Sequence, residues 1–204
     1  MQPRVTLTPE QLPETVPVPF IIDDHKNSAA EMQIPVWVMA YLEGGNAAIE
    51  ILPEFQDSFV FVRSNEGTHF GALNQWLNGF NAELDFPLIA AARIEDRFRS
   101  AAPLPDQAFG SFYEALIRAA SDAHWTGAEK ADDYWIRKRY LPGSEAGFIT
   151  ERETWEFLIL VTIERDLFAS QLDSIFRNLR PRPPPTREQV NAANRVIERF
   201  YTGF

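Results

Sequence analysis

Cysteine is absent from all 204 residues. That excludes thiolate catalysis, cysteine-ligated zinc, iron–sulfur clusters and any disulfide framework. Long apolar runs are missing as well. The longest, Ile34 to Leu42, is far short of the roughly 20 residues that a membrane-spanning helix needs. The opening MQPRVTLTPEQ has no charged n-region followed by an apolar h-region, so no secretory signal is read and cytoplasm is the expected compartment. Lysine is scarce, with 3 against 16 arginines, a bias without mechanistic content.

Catalytic spacings are lacking too. Gly44-Gly45 stands alone, without a Walker-type lysine or a dinucleotide fingerprint. His-Glu-x-x-His, Gly-x-Ser-x-Gly and the kinase set do not occur. His25, His69 and His124 lie far apart, and none has a second histidine or a carboxylate three or four residues away in a helix register that looks like a ligand pair. Glu153, Glu156 and Glu164 lack the Glu-x-x-His partners of a carboxylate-bridged metal site. Neither a metal nor a cofactor is therefore expected.

What is present is an ordinary globular composition, 45% apolar and 24% charged, in a chain long enough to bury about 70% of its unfolded surface. Charge is unevenly spread. Residues 1–92 carry 3 basic and 12 acidic side chains, whereas residues 93–204 carry 16 and 17. Six arginines between Arg177 and Arg199 face only Glu188 and Glu198 there. An acidic half repels phosphates, so nucleic acid is disfavoured as a partner and a basic protein is favoured.

Five prolines within the first 19 residues predict an extended arm over 1–22, followed by one domain over 23–204. The β-branched and aromatic residues of 32–42, then 47–52 and 58–63, predict an antiparallel β-meander of about three strands. Its first strand, with Ile34, Val36 and Val38 on one face and Trp37, Met39 and Tyr41 on the other, predicts cover on both sides, by the arm or a second copy. From residue 68 the apolar period becomes helical. Helices are predicted over 68–80, 87–100, 106–124, 128–140, 151–179 (opened by a Thr150/Glu153 capping box) and after a proline-rich connector at 180–187. The expected class is α+β, a sheet at 32–63 against a bundle of five to six helices at 68–204.

Arg118-Ala-Ala-Ser-Asp-Ala-His124 resembles the Arg-x(4–6)-His pair of HEPN-type ribonucleases, all-helical dimers. The resemblance implies an RNA-cleaving role, in which the pair activates the 2′-hydroxyl and stabilises the phosphate. The chain departs from that family in its predicted strands and in Ala119, where a polar residue usually follows the arginine. On a continuous helix Arg118 and His124 lie about 240° apart and converge only if the helix ends between them.

With no assembled catalytic set, the sequence points first to a non-catalytic protein-binding protein: an adaptor, a chaperone or an inhibitor of immunity type. Its acidic contacts are expected at Glu43, Glu54, Asp57 and Glu66, and its aromatic contacts at Trp37 and Tyr41. An enzyme assembled only in three dimensions, with Arg118 and His124 as its specific form, is the rival reading. A structural subunit of a phage or secretion assembly is the third. A homo-oligomer is compatible with all three.

Overall fold

The most apolar stretch of the sequence, Trp155 to Ile163, is a β-strand. It forms the middle of β4, Arg152–Glu164, in a computed structural model that describes residues 20–101, 107–140, 152–180 and 184–202. Side chains are described for all of these except 97–101, 107–113, 192–193, 196–197 and 199–202. Beside β4 lie β1 (Phe20–His25), β2 (Ser58–Gly67) and β3 (Glu129–Tyr140), in a four-stranded antiparallel sheet of order β1-β3-β4-β2. Six helices complete the α+β fold among the described residues: α1 (Val36–Glu50), α2 (Phe70–Asn78), α3 (Ala82–Ala101), α4 (Gln107–Asp122), α5 (Arg165–Asn178) and α6 (Arg187–Thr202).

Strand alternation divides the sheet between two cores. Phe59 and Phe61 of β2 and Phe157, Ile159, Val161 and Ile163 of β4 face α2, α3, α4 and α5. Val60, Tyr134, Ile136, Leu158 and Leu160 face the other way, onto Trp37, Val38 and Ile49 of α1. A central strand buried on both faces has no polar alternation to show. The last helix, α6, packs against α3 and α5.

The strand expectations are corrected accordingly. Residues 32–42 and 47–52 are not strands: α1 runs through Val36–Glu50, with Trp37, Val38 and Ile49 inward, so the argument that a two-faced strand there needs the arm or a second copy falls with it. Glu43-Gly44-Gly45-Asn46, which lies between the first two expected strands, holds a break inside that helix. Gly44 has φ −148° and Gly45 φ 65°, and only glycine takes the second without strain. Residues 128–140 are β3 rather than a helix. The expected helix at 151–179 is β4 followed by α5, with Glu153 in the strand and not in a capping box; Thr150 lies outside the described residues. Of the expected arm, residues 1–19 lie outside them as well, and Phe20–Ile22 open β1 on one edge of the sheet.

Other expectations match. β2, α2, α3, α4 and α6 stand where sequence places them, with α3 starting earlier. Asn81 explains that start. Its side chain accepts from Leu84 N–H at 3.2 Å while its own N–H donates to Asp85 at 2.9 Å, a reciprocal cap, so Pro87 comes one turn later. After α4 the chain turns at Gly127, φ 77°, where a Cβ would sit 2.4 Å from Leu167.

Candidate functional site

A cleft of about 730 Å³ lies between the break in α1, strand β2 and α3. That is within the 300–1,000 Å³ usual for binding pockets. Tyr41, Asn46, Arg63, Ser64, Arg93 and Asp96 supply its polar groups, and Leu88 and Ile89 part of its apolar wall. Neither guanidinium is uncommitted. Arg93, its side chain 10% exposed, pairs with Glu50 at 2.5 Å and lies over the Phe61 ring. Arg63 pairs with Asp85 at 2.7 Å and lies over Trp76.

β2 is an edge strand, and α1 covers part of its free edge with side chains. Asn46 accepts from Val62 N–H at 2.8 Å and Glu50 from Val60 N–H at 3.3 Å. One helical turn separates the two acceptors, and two strand residues separate the two donors, spacings that match closely. Glu50 thus serves both the edge strand and Arg93.

The sequence-derived binding residues fall in four different settings. Glu43, Glu54 and Asp57 are exposed, on α1 or just after it, and no ion pair engages their carboxylates among the described residues. Tyr41 is half-buried and lines the cleft. Trp37 belongs to the core, 5% exposed, with its indole N–H donating to Asp132 at 2.9 Å, so it offers no surface. Glu66 is occupied by its neighbours: Thr154 donates to it at 2.8 Å, Tyr140 at 3.2 Å, and Lys138 lies 3.4 Å away.

Lys138 is a group that sequence reasoning missed. It is buried on β3 between Glu66 of β2 and Glu156 of β4, the latter at 2.5 Å, with the Phe20 ring 4.7 Å from its ammonium. Desolvation disfavours its charge, but the Glu156 hydrogen bond and the charges of Glu156 and Glu66 outweigh it and raise its pKa. A permanently protonated lysine is a structural counter-ion, not a nucleophile. Asp23, a second such group, is the extra residue of a β1 bulge between Ile22 and Asp24, and it accepts from both Arg137 and Arg139.

Glu66, Asp23 and Asp133, which pairs with Lys26 and Lys130, are among the carboxyls with lowered pKa values. Burial pushes Glu66 up, but Thr154 and Lys138 more than offset it. Burial likewise pushes Asp23 and Asp133 up, and Arg137 and Arg139 pull the first below its ordinary value while Lys130 and Lys26 do so for the second. A depressed folded-state pKa contributes stability that is complete above the unfolded value and lost as pH falls through the folded one. The urea midpoint is therefore expected to hold from pH 7 down to about 5, then to decline steeply below about pH 4. Glu66→Gln should flatten that decline, and an equally steep fall in the variant would remove Glu66 from the account.

The Arg118–His124 pair is placed around the end of α4. That helix ends at Asp122, so the chain does leave the helix between them, and both residues are exposed. His124 lines a second cleft of about 420 Å³ with Gln171, Ser174 and Arg180; Arg118 is not among its lining residues. Among the described residues no cluster of three or more His, Asp or Glu is arranged to hold a metal ion, and no helix is long and apolar enough to cross a membrane. The chain matches no protein-family model, no curated protein and no solved structure.

Proposed function

We propose that the chain is a non-catalytic protein-binding protein, of adaptor, chaperone or inhibitor type, whose partner presents a basic and partly apolar surface to α1 and the turn after it. One observation carries this reading. Along that segment the exposed apolar side chains of Val36 (63%) and Ile51 (77%) stand among the exposed carboxylates of Glu43, Glu54 and Asp57. Single exposed apolar residues are ordinary; several set among acids of one sign fit the mixed composition of a protein interface.

The test is kinetic. Reversing Glu43, Glu54 and Asp57 together to lysine is expected to lower the association rate for the native partner by about tenfold at low salt, with little change in dissociation. Glu66 is left untouched because its carboxylate supports Lys138. An unchanged on-rate with unchanged salt dependence would sink the electrostatic reading.

A further inference from the structure

The cover that α1 gives to the edge of β2 stops short. In a strand, the N–H and C=O of one residue point to the same side and alternate with those of the next. The pairing of β2 with β4 is regular from Ser58 to Gly67, so the residues pointing outward continue from Val60 and Val62 to Ser64 and Glu66. The first two N–H groups are met by Glu50 and Asn46. The helical position one turn before Asn46 is Leu42, which has no acceptor, and the helix is broken between them at Gly44-Gly45. Ser64 and Glu66 are exposed, and no partner meets their outward N–H groups among the described residues. The 730 Å³ cleft opens beside this stretch.

We propose that the outward edge of β2 at Ser64–Glu66 takes up an extended, basic segment of a partner protein as an added strand. The backbone groups supply the ladder, as in other strand-addition complexes. Charge supplies the sign of the occupant. Around the cleft, Arg63 is paired with Asp85 and Arg93 with Glu50. The single ammonium of Lys138 is shared between Glu66 on the edge itself and Glu156, and Glu43 beside the break in α1 is exposed, which leaves the edge negative. The exposed Leu88, 62% accessible on α3, offers an apolar contact to alternate side chains of the incoming strand. A second copy of this chain fits less well, because symmetric pairing about so short a stretch brings the two Glu66 side chains close together.

This inference rests on the protein-binding reading and narrows it to one kind of partner segment. Its test uses the full ¹⁵N-labelled chain and a capped peptide of alternating valine and lysine. In the free protein, the amides of Ser64 and Glu66 should exchange with solvent faster than those of Val60 and Val62. Adding the peptide should shift and protect the Ser64 and Glu66 amides. Methylating alternate peptide nitrogens should abolish the effect, and an alternating valine–glutamate peptide should not produce it.

Ser64→Pro provides a second arm. Proline is tolerated on an edge strand where the N–H faces outward, so the variant should fold with a similar melting temperature and bind the valine–lysine peptide about tenfold more weakly. The proposal is overturned if the peptide moves neither amide at millimolar concentration, if the methylated or acidic peptide binds equally well, or if Ser64→Pro unfolds the chain or leaves binding intact. Failure here is separable from failure of the broader reading. A native partner sensitive to reversal of Glu43, Glu54 and Asp57 but indifferent to Ser64→Pro keeps the acidic face and loses the edge; the opposite pattern keeps the edge and loses the face.

Discussion

Lys138→Met is expected to cost about 3–5 kcal/mol of folding stability, because it strands a buried carboxylate. The side chains of Lys138 and Glu156 are 9% and 10% exposed, and their charged atoms meet at 2.5 Å. Water therefore screens the pair little, and the usual discount for surface ion pairs does not apply. Removing the ammonium leaves Glu156 as an uncompensated buried carboxylate and Glu66 without its cation. For a chain of this size the loss corresponds to a fall in Tm on the order of 10 °C. The companion variant Lys138→Met/Glu156→Gln should recover much of it, since a neutral pair in the same space no longer carries an uncompensated charge. Urea melts of the two variants side by side decide the matter. A single variant within about 1 kcal/mol of the parent would show that solvent reaches the pair.

The second large effect is predicted for Phe168→Ala on α5, also about 3–5 kcal/mol. Phe168 is fully buried and is the hub of an aromatic cluster. Its ring lies 5.1 Å from Phe59, 5.6 Å from Phe61 and 4.9 Å from Trp125, on which it stacks at 13°. The contacts tie α5 to β2 twice and to the turn after α4 once. Truncation opens a cavity between α5, β2 and the turn after α4, and large aromatic neighbours collapse poorly into such a space. Near-ultraviolet dichroism from Trp125 should weaken together with the urea midpoint. A loss below about 1.5 kcal/mol would mean that the cluster repacks.

Legibility in the sequence followed how each segment is buried. α2 and α4 were readable because each has one apolar stripe and one wet face; Leu73 and Leu77, or Leu116 and Ala120, repeat at helical spacing. β2 was readable from its β-branched and aromatic run. β4 was not, because a strand buried on both faces is apolar at nearly every position. Choosing Trp155, Leu158, Ile159 and Ile163 out of such a run reproduces a helical period by selection.

β3 was hidden for the opposite reason. Its inward position 138 is a lysine, so the alternation Tyr134, Ile136, Lys138 carries a charge where a core residue is expected. In α1, β-branched residues were outvoted by packing: Trp37 and Val38 reach a sheet face that forms only from distant strands. The site was legible only where it depended on exposure. Turn and helix-end acids such as Glu43, Glu54 and Asp57 do face solvent, whereas Trp37 and Glu66 depend on register, which no local pattern encodes. The one signal that pointed to Lys138 was its place two residues beyond Ile136 in an alternating segment.

The order of strands in the sheet also decides how the chain can reach its native state. Its two central strands come from the later part of the sequence, and its two edges from the earlier part. Ser58 pairs with Glu164 and Gly67 with Trp155, and Phe20 pairs with Tyr140, so each edge joins the centre across roughly 90 to 120 residues. Closing loops of that length costs entropy before any ladder bond repays it, which makes this a slow topology. Only the β3–β4 ladder joins strands adjacent in sequence, so that hairpin is the natural nucleus. On a ribosome, β1 and β2 emerge long before their partners exist. Until Glu164 has been synthesised, the aromatic face of β2 and the helices that follow it have no sheet to pack against. Over that interval the newborn chain displays apolar surface that the finished protein conceals, and its dependence on chaperones should be concentrated there.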